Sequence, residues 1–186
     1  MAMVRFPHEK YASLELNQVA FPKTGMVVSQ TPLGEEFTEA APCENGMWVL
    51  GDKAKGYIGS AAAVTDKPIG IVYTAEKEYD SHEYGLKHFH QVAGDYPRVG
   101  LLGLGDTVTT NCLQYDNTAT GFTTEAGMLA TLAAFETTPV YVAIVANSPI
   151  PKLTTTKPGS GIYGKVTKVY TMPNGEKGVK YQIVNL

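Results

Sequence analysis

The side chains best suited to chemistry crowd into one short stretch, Asp80-Ser81-His82-Glu83-Tyr84-Gly85-Leu86-Lys87-His88-Phe89-His90. Three of the four histidines in the chain lie there. On an extended strand His88 and His90 point the same way, and His82 adds a third imidazole, so metal binding is the chemistry this spacing offers. The spacing fits neither HExxH nor a two-histidine, one-carboxylate set, and a polar loop with aromatic packing is the simpler reading. No metal or other cofactor is assigned from these residues.

Other constellations are weaker still. Gly59-Ser60-Ala61 lacks the second glycine of a nucleophile elbow, and Pro42-Cys43-Glu44 has no histidine beside it in sequence. The run Gly100-Leu-Leu-Gly103-Leu-Gly105-Asp106 has its glycines in the wrong order for a dinucleotide loop. It leads into Thr-Val-Thr-Thr, a strand former rather than a phosphate-binding helix. Trp48 and the tyrosines suit a carbohydrate platform by chemistry, yet Met47-Trp48-Val49-Leu50 is an apolar run of the kind that enters a core. The chain is not expected to be an enzyme.

Cys43 and Cys112 are the only cysteines. Two isolated thiols make neither a multi-thiolate zinc site nor a disulfide framework, and they read as buried free thiols, with a single Cys43–Cys112 bridge as the alternative.

The elements that must position these residues are mostly strands. A chain of 186 residues, 44% hydrophobic and with a net charge of −3, is the size and balance of one ordinary globular domain. The 19 Gly, 11 Pro and 11 Tyr favour turns and β-structure. No apolar run reaches the ~18–20 residues that cross a bilayer, so no membrane partner is expected.

Residues 1–42 read as an N-terminal arm or meander. Phe6, Tyr11, Leu14 and Phe21 are apolar anchors in a polar, proline-punctuated stretch with no sustained period, and removal of residues 1–25 is expected to leave a folded body. Residues 43–151 read as a β-rich body. Glu44-Asn45-Gly46 is a turn, Met47 to Leu50, Tyr57 to Val64, Ile69 to Thr74, Val99 to Leu104, Thr107 to Leu113 and Val140 to Ala146 are strand candidates, and Thr124 to Glu136 fits one short, Thr-capped helix. Residues 152–186 read as a linker, from Leu153 to Gly161, and a C-terminal β-hairpin. Ile162 to Met172 and Lys177 to Val184 flank the turn Pro173-Asn174-Gly175, and Val179, Tyr181 and Ile183 form one apolar face. The expected fold is mainly β, a small β-barrel or sandwich-like body.

Charge is unevenly spread. From Lys152 onward there are six lysines and one acid, Glu176, against nine bases and 17 acids before it. This is a contact device or a solvated face, and too sparse and Arg-poor to read nucleic acid.

Ala41-Pro-Cys-Glu-Asn-Gly-Met-Trp-Val-Leu50 followed by Ile69-Gly-Ile-Val-Tyr73 resembles the turn, strand and return strand of small capsid decoration proteins of tailed bacteriophages. Tyr163 to Val184 is similar to the closing hairpin of several small phage head or tail proteins. These stretches cover less than a third of the chain. The resemblance implies a head auxiliary, or cement, protein that is made in the host cytoplasm and binds the capsid exterior of the virion. Its implied partners are the major capsid protein and copies of itself, with a trimer favoured. A tail-tube, head-fibre or connector subunit is the alternative. Phe6, Tyr11, Leu14, Phe21, Lys165, Lys168, Lys177, Lys180 and Tyr181 are the candidate interface residues, chosen by exposure and pattern.

Overall fold

The computed structural model describes residues 3–21, 27–28, 31–52, 57–66, 68–75 and 88–186. The strands are β1 (Met3–Arg5), β2 (Val27–Val28), β3 (Trp48–Asp52), β4 (Tyr57–Gly59), β5 (Ile69–Val72), β6 (Val99–Leu101), β7 (Thr107–Thr110), β8 (Gln114–Asp116), β9 (Tyr141–Val145), β10 (Ser148–Thr154), β11 (Tyr163–Thr171) and β12 (Lys177–Asn185). One α-helix, α1 (Glu125–Ala133), and a 3-10 turn at Leu16–Gln18 complete the set among the described residues. The mainly β fold expected from composition is what forms.

Seven strands pair in the order β1-β8-β10-β9-β11-β12-β7, and five in the order β2-β6-β5-β3-β4. Only Asn111, Cys112 and Leu113 separate β7, at one end of the larger sheet, from β8, near the other. Four chain steps reach about 14 Å at most. Crossing the strands between them in a flat sheet would take about 24 Å. The larger sheet therefore curls back on itself like a barrel, and residues 107–116 form its corner.

The inner strands β3 and β5 of the smaller sheet are buried on both faces, which explains their unbroken hydrophobic runs. Along β3, Trp48 faces the main core with Ile71, Val108, Val166 and Tyr181, while Val49 faces a second cluster with Leu33, Phe37, Met47 and Val72. Gly46 makes the turn into β3 at φ +97, and a Cβ there would lie 2.6 Å from the Cys112 Cβ. Only glycine serves this turn.

The N-terminal segment is part of the body. β1 pairs with β8, the Phe6 amide donates to the Leu113 carbonyl, and the strip from Leu14 to Ala20 bonds along the outer edge of β7. Phe6 and Leu14 are completely buried. The structure departs from the expectation of a removable arm: Phe6 and Leu14 are single plugs in the core, and so they show no period of their own. The hairpin is equally embedded, with β11 paired to β9 and β12 to β7.

Thr124 caps α1, its hydroxyl accepting from the Gly127 amide at 3.1 Å, and Met128 and Leu132 bury one face. β10 runs further than the sequence suggests. Pro149 and Pro151 fall where the β9–β10 register slips, so their missing N–H groups cost no ladder bond, and Leu153 is a buried strand residue rather than linker. No helix among the described residues is long and apolar enough to cross a membrane.

Candidate functional site

The outer face of the β11–β12 hairpin gathers the basic residues. Inward positions Val166, Val179, Tyr181 and Ile183 enter the core. Alternation turns Lys165 to solvent and leaves Lys180 half-buried on the same outer face, the register slip between Val166 and Lys168 brings Lys168 onto that face, and Lys177 is exposed at the turn end of the hairpin. Lys168 lies opposite Lys180 across the pair, and Lys165 opposite both Gln182 and Tyr141. Lys168 Nζ sits 5.4 Å from the Tyr170 ring centre, and Lys177 Nζ donates to the Thr171 hydroxyl at 3.0 Å. Among the described residues, none of these four lysines is within ion-pair distance of a carboxylate. Like charges placed opposite one another repel, so the face favours an anionic cover.

Glu176, the one acid of this region, is occupied elsewhere. One carboxylate oxygen accepts from the Glu9 amide at 2.8 Å, and the other accepts from Asn111 Nδ2 at 2.8 Å and Asn174 Nδ2 at 2.9 Å. Asn174 Nδ2 also donates to the Ser13 hydroxyl. The turn Pro173-Asn174-Gly175 is thereby clamped to the N-terminal segment and does not protrude.

Several candidate interface residues are not at the surface. Phe6, Leu14 and Tyr181 are fully buried and unavailable to a partner, because each fills the space between layers. Phe21 is half-buried against Tyr73, ring centres 5.4 Å apart, and Tyr11 is half-buried against His90 at 4.5 Å. Sequence alternation marked Tyr181 as apolar-facing, and that face is the core.

His82 lies outside the described residues. His90 Nε2 is 3.3 Å from the Glu39 carboxylate, and His88 Nδ1 is buried without a hydrogen-bond partner among the described residues. Among the described residues no group of three or more His, Cys, Asp or Glu side chains converges as a metal site. Trp48 is 2% exposed, which removes it as a carbohydrate platform. Cys43 and Cys112 are free, buried thiols, and burial pushes both well above the ordinary thiol range, where the nucleophilic thiolate is scarce.

Two polar features carry no signal along the chain. Arg5 grips Glu44, 39 residues away, through both guanidinium nitrogens at 3.0 and 2.6 Å, and Glu44 also accepts from the Ala12 amide at 2.7 Å. Asp106 is completely buried, with one oxygen accepting from the Gly103 amide at 2.6 Å and the other without a hydrogen-bond partner among the described residues. Burial raises its pKa, opposed by the Gly103 bond. The Arg5–Glu44 pair ties distant segments together, and the Asp106 carboxylate closes the local turn from Gly103.

Compared with protein-family models, with curated proteins and with solved structures, the chain has no match.

Proposed function

We propose that this chain is a non-catalytic structural protein of a tailed-phage head, binding the outside of the assembled capsid as a homo-oligomer, with a trimer favoured. The observation that carries the reading is the lysine face of β11–β12, formed by Lys165, Lys168 and Lys180 with Lys177 at the turn end, whose ammonium groups lack carboxylate partners among the described residues. A rigid barrel wall stands behind it. Such a face suits an acidic outer surface on the major capsid protein.

The mechanism is mass action. A protein that binds only the closed lattice stabilises it by about 2.7 kcal/mol per site at a hundredfold excess over Kd. Three linked sites add roughly 10²–10⁴-fold in avidity. No bond is made or broken.

Co-sedimentation of the purified protein with capsids prepared without it tests the reading. Saturable binding that weakens with salt is expected. Replacing Lys165, Lys168, Lys177 and Lys180 with Gln should weaken binding and flatten its salt dependence. An unchanged affinity removes the lysine face from the interface, and failure to bind capsids at low salt defeats the reading. Binding to tails or connectors instead assigns the chain to another part of the virion.

A further inference from the structure

Between β10 and β11 the connecting loop stands off the barrel wall over a cleft of about 300 Å3. Ala143 and Ile144 of β9 line its apolar side. Lys152 of β10 and Thr156, Lys157 and Ser160 of the loop line the polar one. No lining residue is acidic, and neither lysine has an ion-pair partner among the described residues. Asp116 feels Lys152 only weakly, after the two Thr118 hydrogen bonds that hold its carboxyl low.

The loop is fixed at both ends. The Thr156 amide donates to the Thr154 hydroxyl at 3.1 Å, and Asn185 Nδ2 donates to the Gly161 carbonyl at 2.8 Å. Gly161 has φ +77, and a Cβ there would lie 2.6 Å from the Val64 carbonyl oxygen. The cleft is thus built by backbone constraints rather than by the rotamers of its lysines.

We propose that this cleft binds a small oxyanion carried on a short apolar group, of the class of short-chain carboxylates and phosphate monoesters. Two ammonium groups supply charge without the planar geometry that guanidinium demands, and the threonine and serine hydroxyls add neutral donors. Ala143 and Ile144 offer apolar surface to the remainder. The volume lies at the lower end of the range for ligand pockets, which suits a small metabolite or one acidic side chain. The site uses Lys152 and Lys157, and does not rest on the capsid reading.

Amide NMR titrations of the whole protein at constant ionic strength test it, with acetate, butyrate, inorganic phosphate and neutral butyramide as probes. Butyrate should give saturable shifts confined to Ile144 and residues 152–162, and bind up to about tenfold more tightly than acetate through its added methylenes. Phosphate binding as tightly as butyrate would assign the site to phosphate compounds, and a preference for butyrate to carboxylates. The double variant Lys152→Gln/Lys157→Gln should lose saturation while its other resonances stay in place. If that variant does not fold, Lys157→Gln, at an exposed position, should weaken binding several-fold. Equal shifts with butyramide, no saturation with either anion, or an unchanged affinity in the lysine variants would overturn the proposal.

Discussion

Trp48 and Tyr181 join the two sheets: the indole Nε1–H donates to the phenol oxygen at 2.9 Å, and the ring centres lie 6.0 Å apart. Both side chains are almost wholly withdrawn from water. Burial holds the Tyr181 hydroxyl protonated far above the ordinary tyrosine range, so the phenol remains a neutral acceptor of the indole hydrogen bond. Tyr181→Phe leaves the indole N–H without its partner and should cost about 1–3 kcal/mol in urea unfolding. A loss below a few tenths would mean that the bond contributes nothing net.

Arg5 and Glu44 tie β1 to the turn before β3. Glu44→Ala strands the guanidinium and the Ala12 amide together, and Arg5 is 31% exposed, which lets water relieve part of the loss. The expected destabilisation is on the order of 2 kcal/mol. Arg5→Met should cost at least as much, since it leaves a carboxylate only 5% exposed without its counter-charge, although the Ala12 amide still donates to it. The order of the two variants in chemical denaturation checks this.

Deleting residues 1–21 should abolish the cooperative fold. It removes Phe6 and Leu14 from the core, and it strips the outer edge of β7. Two large buried side chains alone account for roughly 4–10 kcal/mol, comparable with a whole domain's stability. A soluble truncation with a native near-ultraviolet spectrum would show that the segment is dispensable.

Asp106 sets a pH dependence. Burial raises its folded-state pKa above the unfolded value, so the stability linked to the protonated form is full below the ordinary carboxylate range and is lost as pH rises through the folded pKa. Asp106→Asn keeps an acceptor for the Gly103 amide without the charge. The variant should therefore be at least as stable as the native chain at neutral pH, with its advantage shrinking as the pH falls toward about 4. A gap that stays constant with pH would remove Asp106 as its source.

Glu176→Ala should release the hairpin turn from the N-terminal segment. Amide exchange at Glu9 and around Asn174 should speed up, while β11 and β12 keep their protection further along. Uniformly faster exchange along both strands would show that the clamp holds the whole pair.

Local chemistry was legible where a few neighbouring residues decide it. Pro173-Asn174-Gly175 turns the hairpin, Thr124 caps the helix, and the runs beginning at Met47 and Ile69 become strands buried on both faces. The alternation along β12 correctly divides Lys180 and Gln182 from Val179 and Ile183, and Tyr181 belongs to the inward set. What escaped was long-range. Nothing near Phe6 or Leu14 in sequence reveals that they fill gaps beside residues 110–113. Pro149 and Pro151 mask β10 because only the tertiary register makes their missing donors harmless. Glu44 and Glu176 are conspicuous only once their partners, brought from distant parts of the chain, surround them.

The position of β12 governs when the protein can become itself during synthesis. This last strand lies between β11 and β7, and through Tyr181 it reaches an indole 133 residues earlier in the chain. A ribosome-bound chain lacking it would have an unclosed wall and an exposed Trp48. Such a late, non-local closure is slow by nature. The wall around Trp48 therefore closes only after β12 has been synthesised.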